Sequence, residues 1–232
     1  MIPMNYKALD PRLSLAFDLY DSCRLAADIG TDHAHLPAAL LQRGRCQHMI
    51  LTDISPSALE NAKMEMIRLH LTNRVSLRLG DGLTPVSEPC EMISVMGMGG
   101  RTIRNILLSG REKLQGASLL LSAHTDWHLI RAALQEIGYR LDREEPCLSG
   151  GRYYLVLLAR PGESSMTDRE IRLGGPLFLS SSPVLVPFLR RQREVLLEHL
   201  RGLSSAAVPD EPALALLRED IAFYDSFLPD AF

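Results

Sequence analysis

Leu25-Ala26-Ala27-Asp28-Ile29-Gly30-Thr31-Asp32-His33-Ala34-His35-Leu36-Pro37 is the stretch whose reading decides the fold. An apolar run ends in an acid, a glycine follows, then polar residues, then helix-forming sequence. A first strand of an open α/β sheet hands over to its helix in this way and leaves a ligand crevice at its carboxyl end. The same alternation continues outward. The spacing predicts strands over 24–29, 47–53, 75–79, 92–96 and 117–122, with helices over 34–42, 55–71, 101–108 and 126–137 between and after them. Ser55-Pro56 reads as an N-cap followed by proline in the first turn, and Thr125 as the cap of the helix after the fifth strand. A short amphipathic helix (Leu13, Ala16, Phe17, Tyr20) precedes the first strand.

Two consecutive strands, 139–144 and 153–160, close the pattern around Ser149-Gly150-Gly151. Five β-α alternations followed by two strands predict a Rossmann-like, doubly wound, mostly parallel seven-stranded sheet with an antiparallel edge strand. From Pro161 the composition turns polar, and beyond Asp168 it reads as helical. Leu185, Leu189, Leu196, Leu200 and Leu203 share one face. After a turn from Gly202 to Pro209, Leu214, Leu217, Ile221, Tyr224 and Leu228 step by three and four. The expectation is two domains, 1–160 as the α/β unit and 161–232 as a coiled-coil-like helical hairpin.

With 46% hydrophobic residues and mean hydropathy +0.01, the 232-residue chain can bury a sizeable core. No apolar run reaches the length of a membrane span, and no charged-then-apolar leader pattern is present. Cys23, Cys46, Cys90 and Cys147 are scattered and read as buried free thiols, so the expectation is a cytoplasmic protein with no membrane partner and a monomeric state. A net charge of −3 does not mark a nucleic-acid binder. Among the 25 cations only Lys7, Lys63 and Lys113 are lysine, which suits bidentate phosphate pairing but equally follows from a codon bias toward Arg.

Asp28 and its neighbours narrow the ligand. An acid before the glycine would repel a diphosphate, and the second and third glycines of the dinucleotide fingerprint are missing. No Walker A sequence is present. An ammonium group suits Asp28, and S-adenosylmethionine (AdoMet) carries one in its amino-acid portion. Asp53 ends the second strand 23 residues after Gly30, near the distance at which an acid meets a ribose diol. Asp81, between Gly80 and Gly82, can accept from an adenine amine. Gly97-Met98-Gly99-Gly100 after the fourth strand either admits a planar base or makes a tight turn. His33, His35 and His124 fall near strand ends without ligand-spaced partners, so no metal is expected. Trp127 reads as core.

Leu9-Asp10-Pro11-Arg12-Leu13, Asp28-Ile29-Gly30-Thr31-Asp32-His33 with Leu36-Pro37, Leu79-Gly80-Asp81-Gly82-Leu83 and Gly97-Met98-Gly99-Gly100 together resemble the TrmK family of bacterial tRNA methyltransferases. The resemblance spans the chain. It implies AdoMet as cofactor, tRNA as partner, methylation at N1 of adenine 22, and tRNA contact by the C-terminal hairpin. The motifs and the resemblance place the cofactor at Asp28, Gly30, Asp53, Ile54, Asp81, Gly82, Met96 and Gly97. They place the substrate at Arg12, Met98, Gly99, Gly100, Arg190, Arg191 and Arg193, with Asp32 and His33 as candidate catalytic residues. One departure stands out. Where the family reads like Leu-Gln-Pro-Asn after the fifth strand, this chain has Leu121-Ser122-Ala123-His124. That departure keeps open a methyltransferase for a small molecule or protein, or an AdoMet- or RNA-binding module without turnover.

Overall fold

The computed structural model describes residues 9–205 and 210–228. Its centre is one seven-stranded sheet in the order β3-β2-β1-β4-β5-β7-β6. The strands are β1 (Cys23–Ile29), β2 (Cys46–Asp53), β3 (Val75–Leu79), β4 (Met92–Met98), β5 (Ser118–Ala123), β6 (Tyr139–Ser149) and β7 (Arg152–Pro161). The first five run parallel, with Asp28 opposite Ser94 across the β1–β4 pair. Strand order reverses between β1 and β4, and both neighbours of that point are central and buried on both faces. Such a switch point leaves a crevice at the strand ends.

The antiparallel pairings fall at the expected edge. The reversed strand is β7, which lies between β5 and β6. β6 runs five residues beyond its expected end at Glu144 and includes Pro146. Proline is tolerated there because β6 is the outer strand, whose outward N–H groups need no partner.

Helices α1 (Pro11–Leu19), α2 (His35–Gln42), α3 (Pro56–Arg68), α4 (Gly100–Ser109), α5 (Arg111–Leu114) and α6 (Trp127–Glu136) cover the two faces. Asp10 caps α1 by accepting from the Leu13 N–H (3.0 Å), and Ser55 caps α3 by accepting from Ala58 (3.4 Å), with proline in the first turn of each. Thr125 does not cap α6. Its hydroxyl donates to Asp126 (3.0 Å), and Asp126 takes the cap position in a left-handed conformation, φ 58°. The cause is tight packing of this turn on the start of α4: the Gly100 N–H donates to the Thr125 carbonyl (3.1 Å), and a Cβ on Gly100 would come within 2.4 Å of the Asp126 oxygen.

After β7 come α7 (Asp168–Leu173), a 3-10 turn (Pro176–Leu179), α8 (Leu185–Ser204) and α9 (Glu211–Asp225). Thr167 and Glu170 form a reciprocal capping box at α7. α8 and α9 pack as a hairpin, and part of the expected 202–209 turn lies outside the described residues. Among the described residues, part of the hairpin joins the core of the sheet. Leu173, Leu177, Phe188, Leu189 and Tyr224 belong to the same apolar cluster as Ile29, Ile93 and Leu121. Phe188 sits against Trp127 (5.6 Å) and Tyr153 (5.9 Å), and Trp127 donates its indole N–H to the Ala123 carbonyl (3.0 Å). A polar tie runs alongside. Buried Arg131 pairs with Glu144 (2.7 Å) and donates to the Ile171 (3.1 Å) and Arg172 (3.2 Å) carbonyls, while Arg172 grips Asp220 through two bonds (2.9 and 2.8 Å). Removing either member of such a pair strands a buried charge.

Phe188→Ala is therefore expected to destabilise the whole chain by about 3–5 kcal/mol, the range for a buried aromatic truncated to alanine. Chemical denaturation followed at Trp127 measures it. A loss below about 1 kcal/mol would show that the hairpin packs on the sheet without sharing its core.

Candidate functional site

Two adjoining clefts open at the carboxyl ends of the parallel strands. One, of about 320 Å³, is lined by Asp10, Arg12, Asp28, the 30–37 segment, Met96, Gly97 and His124. The other, of about 390 Å³, is lined by Thr52, Asp53, Ile54, Gly80, Asp81, Gly82, Met98 and Thr102 among others. Gly30, Met96 and Gly97 belong to both, so the β1 and β4 ends form the partition. The three strand-end acids are thus divided: Asp28 serves the first cleft, Asp53 and Asp81 the second.

Asp28 is buried, and burial raises its carboxyl above the usual range, opposed by a hydrogen bond from Ser94 Oγ (2.5 Å) and reinforced by the charge of Asp53. Arg12 lines the same cleft, with its guanidinium over the Tyr154 ring (5.2 Å) and with Nη1 buried and lacking a partner. A buried anion and an unsatisfied cationic donor in one cleft are complementary to an α-amino acid in its zwitterionic form. AdoMet presents that group, and the residues fit it. Arg12, expected at the substrate, sits on this amino-acid side.

In the second cleft Asp53 accepts from the backbone N–H of Asp32 (3.3 Å) and of Ser55 (2.9 Å), which fixes its carboxylate while leaving further acceptor capacity for a diol. Ile54 is 70% exposed at the rim, an apolar surface for a planar ring. Asp81 is exposed, and Thr52 Oγ1 donates to the Gly82 carbonyl (3.4 Å), tying the second and third strand ends together.

The β1–α2 turn is strained. Asp32 (φ 42°) and Ala34 (φ 52°) both adopt left-handed conformations that non-glycine residues take at a cost of about 1–3 kcal/mol each. The turn exposes Asp32 and His33 on the cleft rim, 3.7 Å apart, with His33 stacked on His35 (5.6 Å). Opposite, β4 carries an irregularity between Met96 and Met98. Gly97 (φ +78°) is the extra residue, a conformation only glycine adopts freely. His124 meets it: its backbone N–H donates to the Met98 carbonyl (2.9 Å) and its Nε2–H to the Gly97 carbonyl (2.8 Å).

Gly99 and Gly100 lie in neither cleft lining. Gly100 is needed for helix packing, whereas a Cβ on Gly99 would meet open space. Arg190, Arg191 and Arg193 sit on α8, away from both clefts. Arg191 pairs with Glu194 (3.2 Å), Arg193 pairs with Asp225 across the hairpin, and Arg190 is exposed with no ion pair among the described residues. Tyr154 and Thr52 were not expected here. The signal for Tyr154 was its place at the start of the reversed strand, which brings that end to the carboxyl ends of β4 and β5. Among the described residues no group of three or more His, Cys, Asp or Glu is placed to hold a metal, and no helix is long and apolar enough to cross a membrane.

A crevice at this switch point, divided between an amino-acid side and a nucleoside side, defines an AdoMet-dependent methyltransferase class. Residues 9–157 match the family described as a methyltransferase domain. The tRNA (adenine(22)-N(1))-methyltransferase of Bacillus subtilis (strain 168) is 30% identical over 195 residues, 83% of this chain and 79% of that protein. Streptococcus pneumoniae Sp1610, solved in complex with S-adenosyl-L-methionine, superposes with TM-score 0.82 at 26% identity over 94% of this chain and 98% of that one. The B. subtilis M1A22 tRNA methyltransferase TrmK has the same fold, with TM-score 0.85 at 24% identity over 96% of this chain and 99% of that one. The chain belongs to the TrmK family.

Asp28→Asn gives a two-sided expectation. The folded-state pKa of Asp28 is raised, so above it the ionised, buried carboxylate lowers stability, and the deficit disappears as pH falls through that pKa. The variant is expected to melt higher than the parent near neutral pH, to lose this advantage in acid, and to bind AdoMet at least about tenfold more weakly. Calorimetry and melting across pH measure both. Unchanged affinity would remove Asp28 from the site.

Proposed function

We propose that this chain transfers the methyl group of AdoMet to N1 of adenine 22 in tRNA, in the cytoplasm. The observation that carries the reading is the pairing of Asp28 with the unsatisfied Arg12 in one cleft and of Asp53 with Asp81 in the other, across a shared glycine partition. Family membership and the name of the B. subtilis relative supply the nucleic acid and the base.

In this reading Asp28 takes the cofactor's ammonium and Arg12 its carboxylate, Asp53 the ribose hydroxyls and Asp81 the adenine amine, with Ile54 covering the ring. Gly30, Gly82, Met96 and Gly97 form the walls between. AdoMet supplies an electrophilic methyl whose bond to sulfur breaks as the adenine N1 lone pair bonds to carbon, leaving a neutral thioether. N1 lies in the ring plane and its lone pair is free of the aromatic system, so the protein's task is placement and no general base is needed at the methylated atom. Holding the reactants near contact in line can contribute about 7–11 kcal/mol. A paired or stacked adenine must first be turned out into the cleft. Asp32 and His33 on the strained turn orient the base at the rim, beside Met98 and the open face of Gly99. The hairpin beyond 161 holds the tRNA. Residues 161–232 hold seven Arg against eleven Asp or Glu, so this part of the chain offers a local basic stripe centred on Arg190 rather than a basic face.

Labelled AdoMet incubated with unmodified total tRNA tests this. Label is expected in ribonuclease-sensitive material and absent from a transcript with guanine at position 22. Ribonuclease-insensitive label, or none, would defeat the proposal. Gly99→Val should fold and keep AdoMet affinity, because its φ of −72° suits any residue and its Cβ meets nothing. Methylation should be lost as the branched side chain fills the base's space. A variant that modifies tRNA at the parental rate would make the 97–100 turn structural only.

A further inference from the structure

The His124 ring is held so that its hydrogen-bonding role is fixed. A carbonyl oxygen only accepts, so the 2.8 Å contact with Gly97 puts a proton on Nε2. The ring of a neutral histidine then has an acceptor at Nδ1, and among the described residues no hydrogen bond uses it. The ring lines the first cleft, beside the Gly97 bulge, and meets Tyr154 edge-on (5.8 Å). Arg12 also contacts the Tyr154 ring (5.2 Å). The site therefore has a histidine ring braced from behind by Tyr154, a backbone edge at Gly97 and a lone acceptor, with the cofactor's amino-acid groups assigned to Asp28 and Arg12.

We propose that His124 Nδ1 accepts a hydrogen bond from the exocyclic amine of the target adenine and so selects adenine and aligns its N1. The inference rests on the adenine-N1 reading above. Adenine presents a donor at N6 next to the attacking N1, whereas guanine and hypoxanthine present a carbonyl there, which an acceptor repels. As N1 gains its methyl the ring becomes cationic and the N6 protons more acidic. The bond to Nδ1 therefore strengthens toward the transition state, which is the kind of interaction that raises rate rather than affinity alone. The Gly97 bulge is what makes this arrangement possible, because it leaves a carbonyl outside the β4–β5 ladder for Nε2 to bind.

The test uses full-length protein, AdoMet, and two tRNAs that carry either adenine or purine, which lacks the amine, at position 22. His124→Ala is expected to lower kcat/KM on the adenine tRNA about tenfold, with AdoMet affinity by calorimetry unchanged. On the purine tRNA the variant should match the parent, so that discrimination between the two bases collapses. His124→Asn should restore most of the preference for adenine. Equal losses on both tRNAs would overturn the proposal and leave His124 as a brace for the bulge. An unchanged rate on adenine would overturn it as well. Should the parent protein methylate neither tRNA while still binding AdoMet, the functional reading fails and this inference falls with it. Failure of the His124 variants alone leaves the functional reading standing.

Discussion

A carboxylate held between two parallel strands at the point where the sheet reverses its order is the constraint around which this molecule is arranged. Asp28 is locked by the Ser94 hydroxyl from the neighbouring strand and is shut away from water. An ionised group in such a place lowers the stability of the empty protein and gains from any ligand that brings a positive charge. The surrounding elements serve that position. The Gly97 bulge re-aims the end of β4, the strained 31–34 turn lines the cleft, and α1 brings Arg12 to it. The large buried aliphatic layers on both faces of the sheet compensate for these costs.

How much of this was legible in the residues differs from element to element. The first four parallel strands were readable because Asp, Gly or both stand at their ends, and β5 because of its apolar run Leu119-Leu120-Leu121. The three acids were readable for the same reason, since a strand end is also a sequence boundary. Their division between two clefts was not, because it depends on the partition that Gly30, Met96 and Gly97 build only once β1 and β4 lie side by side. β6 extends through Pro146, a residue whose cost depends on whether its strand is an inner or an outer one. Thr125 was misread since cap preference is local, while the turn it occupies is shaped by Gly100 from a distant helix. Tyr154 comes to the cleft only because β7 runs backward.

The C-terminal elements show the limit of reading a boundary from composition. The polar stretch after Pro161 marks a change in chain character, yet the core does not stop there. Phe188 fills the gap between Trp127 and Tyr153, and Arg131 reaches from α6 to the last turn of α7. The arm is anchored to the sheet at its base through both an apolar plug and a buried ion pair.

The placement of β7 between β5 and β6 also has a consequence for the order in which the chain acquires its structure. Until residues 152–161 are available, β5 is an unpaired edge whose Leu119, Leu120 and Leu121 are fully apolar and have no partner strand on that side. The β6–β7 hairpin is local in sequence and can form by itself, but it must then dock as a unit to complete the sheet. A nascent or truncated chain that ends after β5 would present a template for edge-to-edge association with other such chains. Synthesis of the closing hairpin soon after β5 shortens the interval in which that edge is open.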